Sequence, residues 1–115
     1  LFITGRKKDL IIRGGENISA GEIENVLEDH AAIEEAAVIG VPDPDWGEVV
    51  KAVIVLKPGA KVTVDELTKY TKERLASFKA PAYYAIVPEL PRNALGKVLK
   101  TDLRKDYGTA TDDGM

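Results

Sequence analysis

The longest apolar run in the chain is Val49 to Leu56, interrupted only by Lys51, and it predicts a strand. Glu34 to Val41 predicts a second strand, with Ala37, Ile39 and Val41 on one face. Pro42-Asp43-Pro44-Asp45 lies between the two. Each proline removes a donor and fixes φ, so the sequence predicts a turn that no regular element crosses. The short connection predicts antiparallel pairing. Tyr83 to Val87 predicts a third core strand. Helical spacing appears twice. Ile23, Val26 and Leu27 give an apolar face to a helix from about Ala20 to Asp29 or His30. Leu67, Tyr70 and Leu75 supply the inner face of a helix from Val64 to about Ser77, whose solvated side carries Lys69, Lys72, Glu73 and Arg74. Ser19 with Glu22, and Thr63 with Glu66, read as capping boxes. His30, the only histidine, reads as a surface residue at a helix end.

The ends of the chain are less periodic. Ile3 to Lys8 and Asp9 to Arg13 predict two short strands, with Gly14-Gly15 breaking the second. Leu90 to Lys100, LPRNALGKVLK, reads as a loop and short strand, and Thr101 to Asp106 as a last helical turn or two. Gly108 to Met115 has the composition of a frayed tail. The expected fold class is α+β: a small domain, residues 1–107, with a β-ribbon and a three-stranded sheet flanked by helices.

Composition narrows the picture. A chain of 115 residues is one domain able to bury a core. With no cysteine it has neither disulfides nor cysteine-based metal sites, which fits a reducing, cytoplasmic location. A net charge of −3 argues against a general nucleic-acid binder. No apolar run approaches the roughly 18 residues of a membrane span. No signal peptide is visible. The start at Leu1-Phe2-Ile3, strand-like and without an initiator Met, reads as a piece of a longer protein.

Two stretches carry candidate chemistry. GRKKDLIIRGGENISAGEIENVL, Gly5 to Leu27, joins a basic cluster (Arg6, Lys7, Lys8), an apolar run, the pair Gly14-Gly15 and a helix start. Glycine lets backbone come close to a ligand, because no Cβ blocks the approach. A hairpin whose glycines serve only the turn is the alternative. In the second stretch Lys97 follows Gly96. A lysine presented this way can place a compact charge on a phosphate or carboxylate. It is not a P-loop lysine, since Pro91 stands at the first glycine position and Val98 at the Ser/Thr position. An ordinary surface lysine is the alternative here.

Taken together, GRKKDLIIRGGENISAGEIE and LPRNALGKVLK resemble the C-terminal domain of acyl-adenylate-forming enzymes. That superfamily includes acyl-CoA synthetases, peptide synthetase adenylation domains and beetle luciferases. The resemblance runs from Leu1 to about Tyr107. Pro42-Asp-Pro-Asp-Trp-Gly-Glu and Phe78-Lys-Ala-Pro look like the acyl-CoA synthetase branch. Gly-Glu-Asn-Ile and Gly-Lys-Val-Leu-Lys also favour an acid–CoA ligase over a peptide synthetase, and most of all the fatty acyl or aryl type. Luciferase chemistry and a non-catalytic docking module on the same fold stay open.

The resemblance implies an ATP-dependent, AMP-forming ligase that makes an acyl-AMP and transfers the acyl group to CoA. This chain would be the lid that rotates over a larger N-terminal domain. Lys97 matches the lysine that reaches the acid carboxylate and the α-phosphate. Lys8 matches the hinge, and Arg6 an arginine that helps hold the nucleotide. Gly14 and Gly15 match the loop lining the pantetheine passage. Trp46 and Phe78 match aromatic positions that can contact the CoA nucleotide, with core packing as the alternative role. Ala80 departs from the arginine such ligases can carry there, which leaves Lys79 as the candidate phosphate contact. Mg²⁺ would be held by ATP and the N-terminal domain. The surroundings of Lys97 also resemble a site of lysine acetyltransferases, whose modification removes the charge.

Overall fold

A computed structural model describes residues 10–75 and 79–108. The strand expected over Ile3–Lys8, with Arg6 and Lys8, lies outside the described residues, as do Phe78 and the tail beyond Gly108.

The ribbon is formed by Leu10–Arg13 (β1) and Glu16–Ser19 (β2), paired antiparallel from Leu10↔Ser19 to Arg13↔Glu16. The glycine pair therefore does not end a strand. It is the two-residue turn of a hairpin, with φ of 56° at Gly14 and 89° at Gly15. Left-handed backbone at both central positions matches the right-handed twist of the flanking strands, and only glycine adopts it without strain. Helix α1, Ala20–Glu28, follows directly. Ser19 makes no side-chain cap, because its backbone belongs to the ribbon and the Glu22 carboxylate pairs with Lys79 instead.

Ile33–Asp43 (β3) and Gly47–Leu56 (β4) form the central antiparallel pair. β3 runs through Pro42, which pairs with Glu48, so the turn contracts to residues 44–46. The proline is tolerated because of where its nitrogen points. The amides of Ala36 and Val38 donate to Glu28 and Glu24 of α1, away from β4. By the two-residue period the nitrogen of Pro42 faces that same outer edge, where no ladder bond is lost.

Helix α2, Val64–Arg74, opens on the expected capping box: the Thr63 hydroxyl accepts from the Glu66 amide, and Glu66 accepts from the Thr63 amide. It ends at Arg74, short of Ser77, with Leu75 extended. Tyr83–Ile86 (β5) then pairs parallel with β4 over Lys51–Ile54. Strand order is β2-β1-β4-β3, and β1 and β5 share the side of β4 opposite β3. Helix α3, Lys100–Tyr107, closes the described chain.

Alternation along β3, β4 and β5 divides the core in two. Ala36, Val38, Val50, Ala52, Ile54 and Tyr84 pack with Ile11 and Ile18 of the ribbon, Ile23 and Leu27 of α1, and Leu67 of α2. Ala37, Ile39, Val41, Val53 and Ala85 face the other way and pack with Leu90 and Leu103 of α3. Each fully buried Ile or Leu contributes about 1.5–3 kcal/mol. Lys51 is fully buried in the middle of β4 and has a partner. Tyr70, expected on the inner face of α2, is half-buried and donates its hydroxyl to the Val26 carbonyl at 2.7 Å. Buried Thr71 stands on that face as well, its hydroxyl bonded to the Leu67 carbonyl. His30 is half-buried, edge-on to Tyr70, and its Nδ1 accepts from the Ala32 amide at 3.0 Å.

The two cap sequences thus predict different costs. Thr63→Ala should destabilise the 115-residue chain by about 1 kcal/mol, the usual price of a lost cap. Ser19→Ala should cost only a few tenths, since no cap bond is lost. Urea denaturation of both variants checks this, and equal losses would contradict the assignment.

Candidate functional site

Lys97 sits on a loop built around Asn93. The Asn93 Oδ1 accepts from the amides of Leu95 at 2.9 Å and Lys97 at 3.1 Å. The Asn93 amide donates to the Lys97 carbonyl at 3.0 Å, and its carbonyl accepts from Gly96 at 2.9 Å. Asn side chains favour such turns because they imitate a backbone acceptor. Gly96, at φ 83°, takes the left-handed position that closes the turn. At the base of the loop Arg92 and Val98 form an isolated bridge, and the Leu99 amide donates to the Pro91 carbonyl at 2.9 Å. The backbone of Lys97 is therefore held at both its amide and its carbonyl. Its side chain is exposed, with no partner among the described residues. Leu95, 91% exposed, stands beside it at the tip.

The glycine hairpin is the second feature. The Gly14 amide donates to the Trp46 carbonyl at 2.8 Å, which seats the hairpin against the β3–β4 turn. A Cβ on Gly14 would lie 2.5 Å from Trp46 Cε3, whereas one on Gly15 would meet nothing within 4 Å. The two glycines thus differ: Gly14 is packed and Gly15 faces open space. Trp46 is 46% exposed, so core packing is not its role. Asp43 fixes its turn by accepting from the amides of Asp45 and Trp46. The Arg13 guanidinium lies 4.0 Å from the Trp46 ring centroid, a cation–π contact.

A groove of about 390 Å³ opens beside them, lined by Arg13, Asp43, Trp46, Thr68, Lys72 and Pro81 among others. Ala80 also lines it. Lys79 pairs with Glu22 at 2.9 Å, so a phosphate would compete with that carboxylate. Sequence reasoning missed Arg13 and Lys72 as groove cations, because they are distant in the chain and meet only in the fold. It also missed Asn93, although Asn-x-x-Gly is a turn composition. A larger groove, about 540 Å³, lies between Leu56, Val62, Val64 and Ile86, apart from both features. It is apolar, and one of its two charged residues, Glu66, is committed to the Thr63 cap.

The structure does not bring Lys97 and the glycine hairpin together. Val98 and Leu103 pack on one core layer, while Ile11 and Ile18 pack on the other. Among the described residues no group of His, Asp or Glu is arranged to hold a metal ion. None of the described helices is long and apolar enough to cross a membrane.

Residues 22–97 match the family model described as AMP-binding enzyme C-terminal domain. The chain belongs to this family. Similar family members include the long-chain-fatty-acid–CoA ligase of Bacillus subtilis, 48% identical over 91% of this chain and 19% of that protein. The 2-succinylbenzoate–CoA ligase of the same organism is 49% identical over 90% of this chain and 21% of its own length. Among solved structures, ATP-bound MatB from Rhodopseudomonas palustris superposes with a TM-score of 0.85 at 41% identity, covering 89% of this chain and 20% of that one. The chain thus spans about a fifth of the length of the relatives it matches. These relatives are named for different acids, and the shared element is the CoA ligase reaction.

The Gly14–Trp46 contact yields a ranked prediction. Gly14→Ala adds a steric clash to positive-φ strain, whereas Gly15→Ala adds strain alone. Strain of this kind costs on the order of 1–3 kcal/mol. Thermal melting should therefore place Gly14→Ala clearly below Gly15→Ala. The reverse order would mean that the hairpin does not sit on Trp46.

Proposed function

We propose that this domain is the rotating C-terminal lid of an ATP-dependent acyl-CoA synthetase, acting on a carboxylic acid of the fatty type. The observation that carries this reading is the separation of two chemically distinct features onto opposite layers of one sheet. An exposed cation on a braced loop and an open glycine turn beside a tryptophan groove cannot meet one substrate at once. A domain that presents first one face and then the other uses both.

In the first orientation Lys97 meets the substrates. The acid carboxylate attacks the α-phosphorus of ATP, and pyrophosphate leaves. Negative charge builds on the phosphoryl oxygens while a second anion approaches. A preorganised cation in a water-poor site lowers that barrier, and losing one such contact typically costs about 10²–10³ in rate. Leu95 would be covered by the N-terminal domain as Lys97 enters. Arg6 would help hold the nucleotide, and Lys8 would be the hinge.

In the second orientation the hairpin faces the active site. The CoA thiol attacks the acyl carbon and AMP leaves. Gly15, with open space where a Cβ would stand, lines the pantetheine passage. Trp46, with Phe78, would take the CoA nucleotide. Lys79 would meet a phosphate only by leaving Glu22. Mg²⁺ would come with ATP and the N-terminal domain. Acetylation of Lys97 by a lysine acetyltransferase would remove its charge and stop the first step.

Two variants of the full-length enzyme separate the faces. Lys97→Ala should abolish pyrophosphate release while largely sparing thioester formation from supplied acyl-AMP, and the isolated 115-residue chain should turn over nothing. Equal loss of both half-reactions would make Lys97 structural. Gly15→Leu should do the opposite, leaving adenylation near normal while transfer to CoA falls and acyl-AMP accumulates. A well-folded Gly15→Leu enzyme that transfers at the normal rate would show that the loop is only a turn.

A further inference from the structure

The loop that carries Lys97 is tied at both ends by ion pairs, one to β3 and one to α1. At its start Arg92 pairs with Glu35 of β3 and donates its Nε to the Gly96 carbonyl at 3.1 Å. At its end Lys100 pairs with Glu24 of α1 at 2.7 Å and donates to the Val38 carbonyl at 2.9 Å. The same Glu24 oxygen accepts from the Val38 amide at 2.8 Å. Glu24, Lys100 and both backbone groups of Val38 thus close a ring of charge-assisted bonds of 2.7–2.9 Å. The lysine and carboxylate occupy Val38 as a neighbouring strand would.

This clamp has a specific mechanical position. Lys100 is the first residue of α3, three positions after Lys97. α3 is eight residues long, and its N-cap, Leu99, offers no side-chain bond. A helix this short does not hold its own first turn. What fixes that turn is Leu103, buried on the sheet, together with the Lys100 clamp. The clamp side chains are only 18% and 20% exposed, which limits solvent screening.

We propose that Glu24 and Lys100, with Glu35 and Arg92, are positioning residues that set the height and direction of Lys97 over the adenylation site. They touch no substrate. They convert a surface loop into a rigid arm by tying its start to Glu35 of the edge strand β3 and its end to Glu24 of α1 and the Val38 carbonyl of β3. The inference rests on Lys97 carrying adenylation, and its test separates the two.

The experiment uses the full-length enzyme with Lys100→Met, Lys100→Arg, Glu35→Gln and Lys97→Ala. Pyrophosphate release reports adenylation, and thioester formation from supplied acyl-AMP reports transfer. A displaced catalytic group costs up to about 10²-fold, so Lys100→Met should lower the adenylation kcat about 10–100-fold. Its KM for ATP and its transfer rate should stay within about twofold, since binding and the other face are untouched. Lys100→Arg should recover most of the loss, because a guanidinium can still reach Glu24 and the Val38 carbonyl. Glu35→Gln should show a smaller loss with the same split, and it carries the test should Lys100→Met fold poorly. A parallel fall in both half-reactions would reduce the pairs to fold stabilisers and overturn the inference. So would normal adenylation in Lys100→Met and Glu35→Gln while Lys97→Ala is dead. If Lys97→Ala itself still adenylates, the reading of Lys97 fails first and the positioning role falls with it.

Discussion

The antiparallel ladder between β3 and β4 is the constraint on which the rest of the structure depends. It is apolar on both faces and must be covered twice. The ribbon, α1 and α2 cover one side, and α3 with the base of the Lys97 loop covers the other. Removing either cover would expose a buried valine and isoleucine surface, so both layers are obligatory. The two chemical features are attached to these two covers, and they end up on opposite layers for that reason.

The free edge of β3 imposes a second demand. Unpaired strand amides and carbonyls invite pairing with another chain. Here carboxylates from α1 take the amides of Ala36 and Val38, and Lys100 takes the carbonyl of Val38. Edge protection and loop anchoring are thus done by the same side chains. The Glu48 carboxylate of β4 accepts from the Ile12 amide of β1 at 3.0 Å and lies over Gly40 of β3, where a Cβ would come within 2.9 Å of it. That contact ties the ribbon to the ladder beyond their single bridge at Arg13↔Gly47.

Much of this was legible because local rules and burial agree. The apolar run of β4, the inward face of Ala37, Ile39 and Val41, and the Thr63–Glu66 cap each follow from side chains acting within their own element. The misreadings have one cause in common. Ser19 and Glu22 satisfy the spacing of a capping box, but a distant lysine takes the carboxylate and the ribbon takes the serine backbone. Pro42 looks like a strand terminator, yet its nitrogen faces an edge where no bond was due. Gly14-Gly15 reads as the end of a strand when the partner strand is placed upstream, whereas Glu16–Ser19 supplies a partner downstream.

The sequence by itself determined the α+β class, the family, the strand and helix faces and the two stretches that are candidates for chemistry. All of these are written in periodicity, turn residues and motif spacing, which are properties of neighbouring positions. Tertiary structure alone decided the rest: that Trp46 stays half in solvent under Arg13, that Gly14 is packed while Gly15 is open, and that Lys100 and Glu24 meet on Val38. These depend on pairs far apart in the chain, brought together by sheet register. A single sequence carries no local signal of such distances, because register is settled only when both core layers are buried at once.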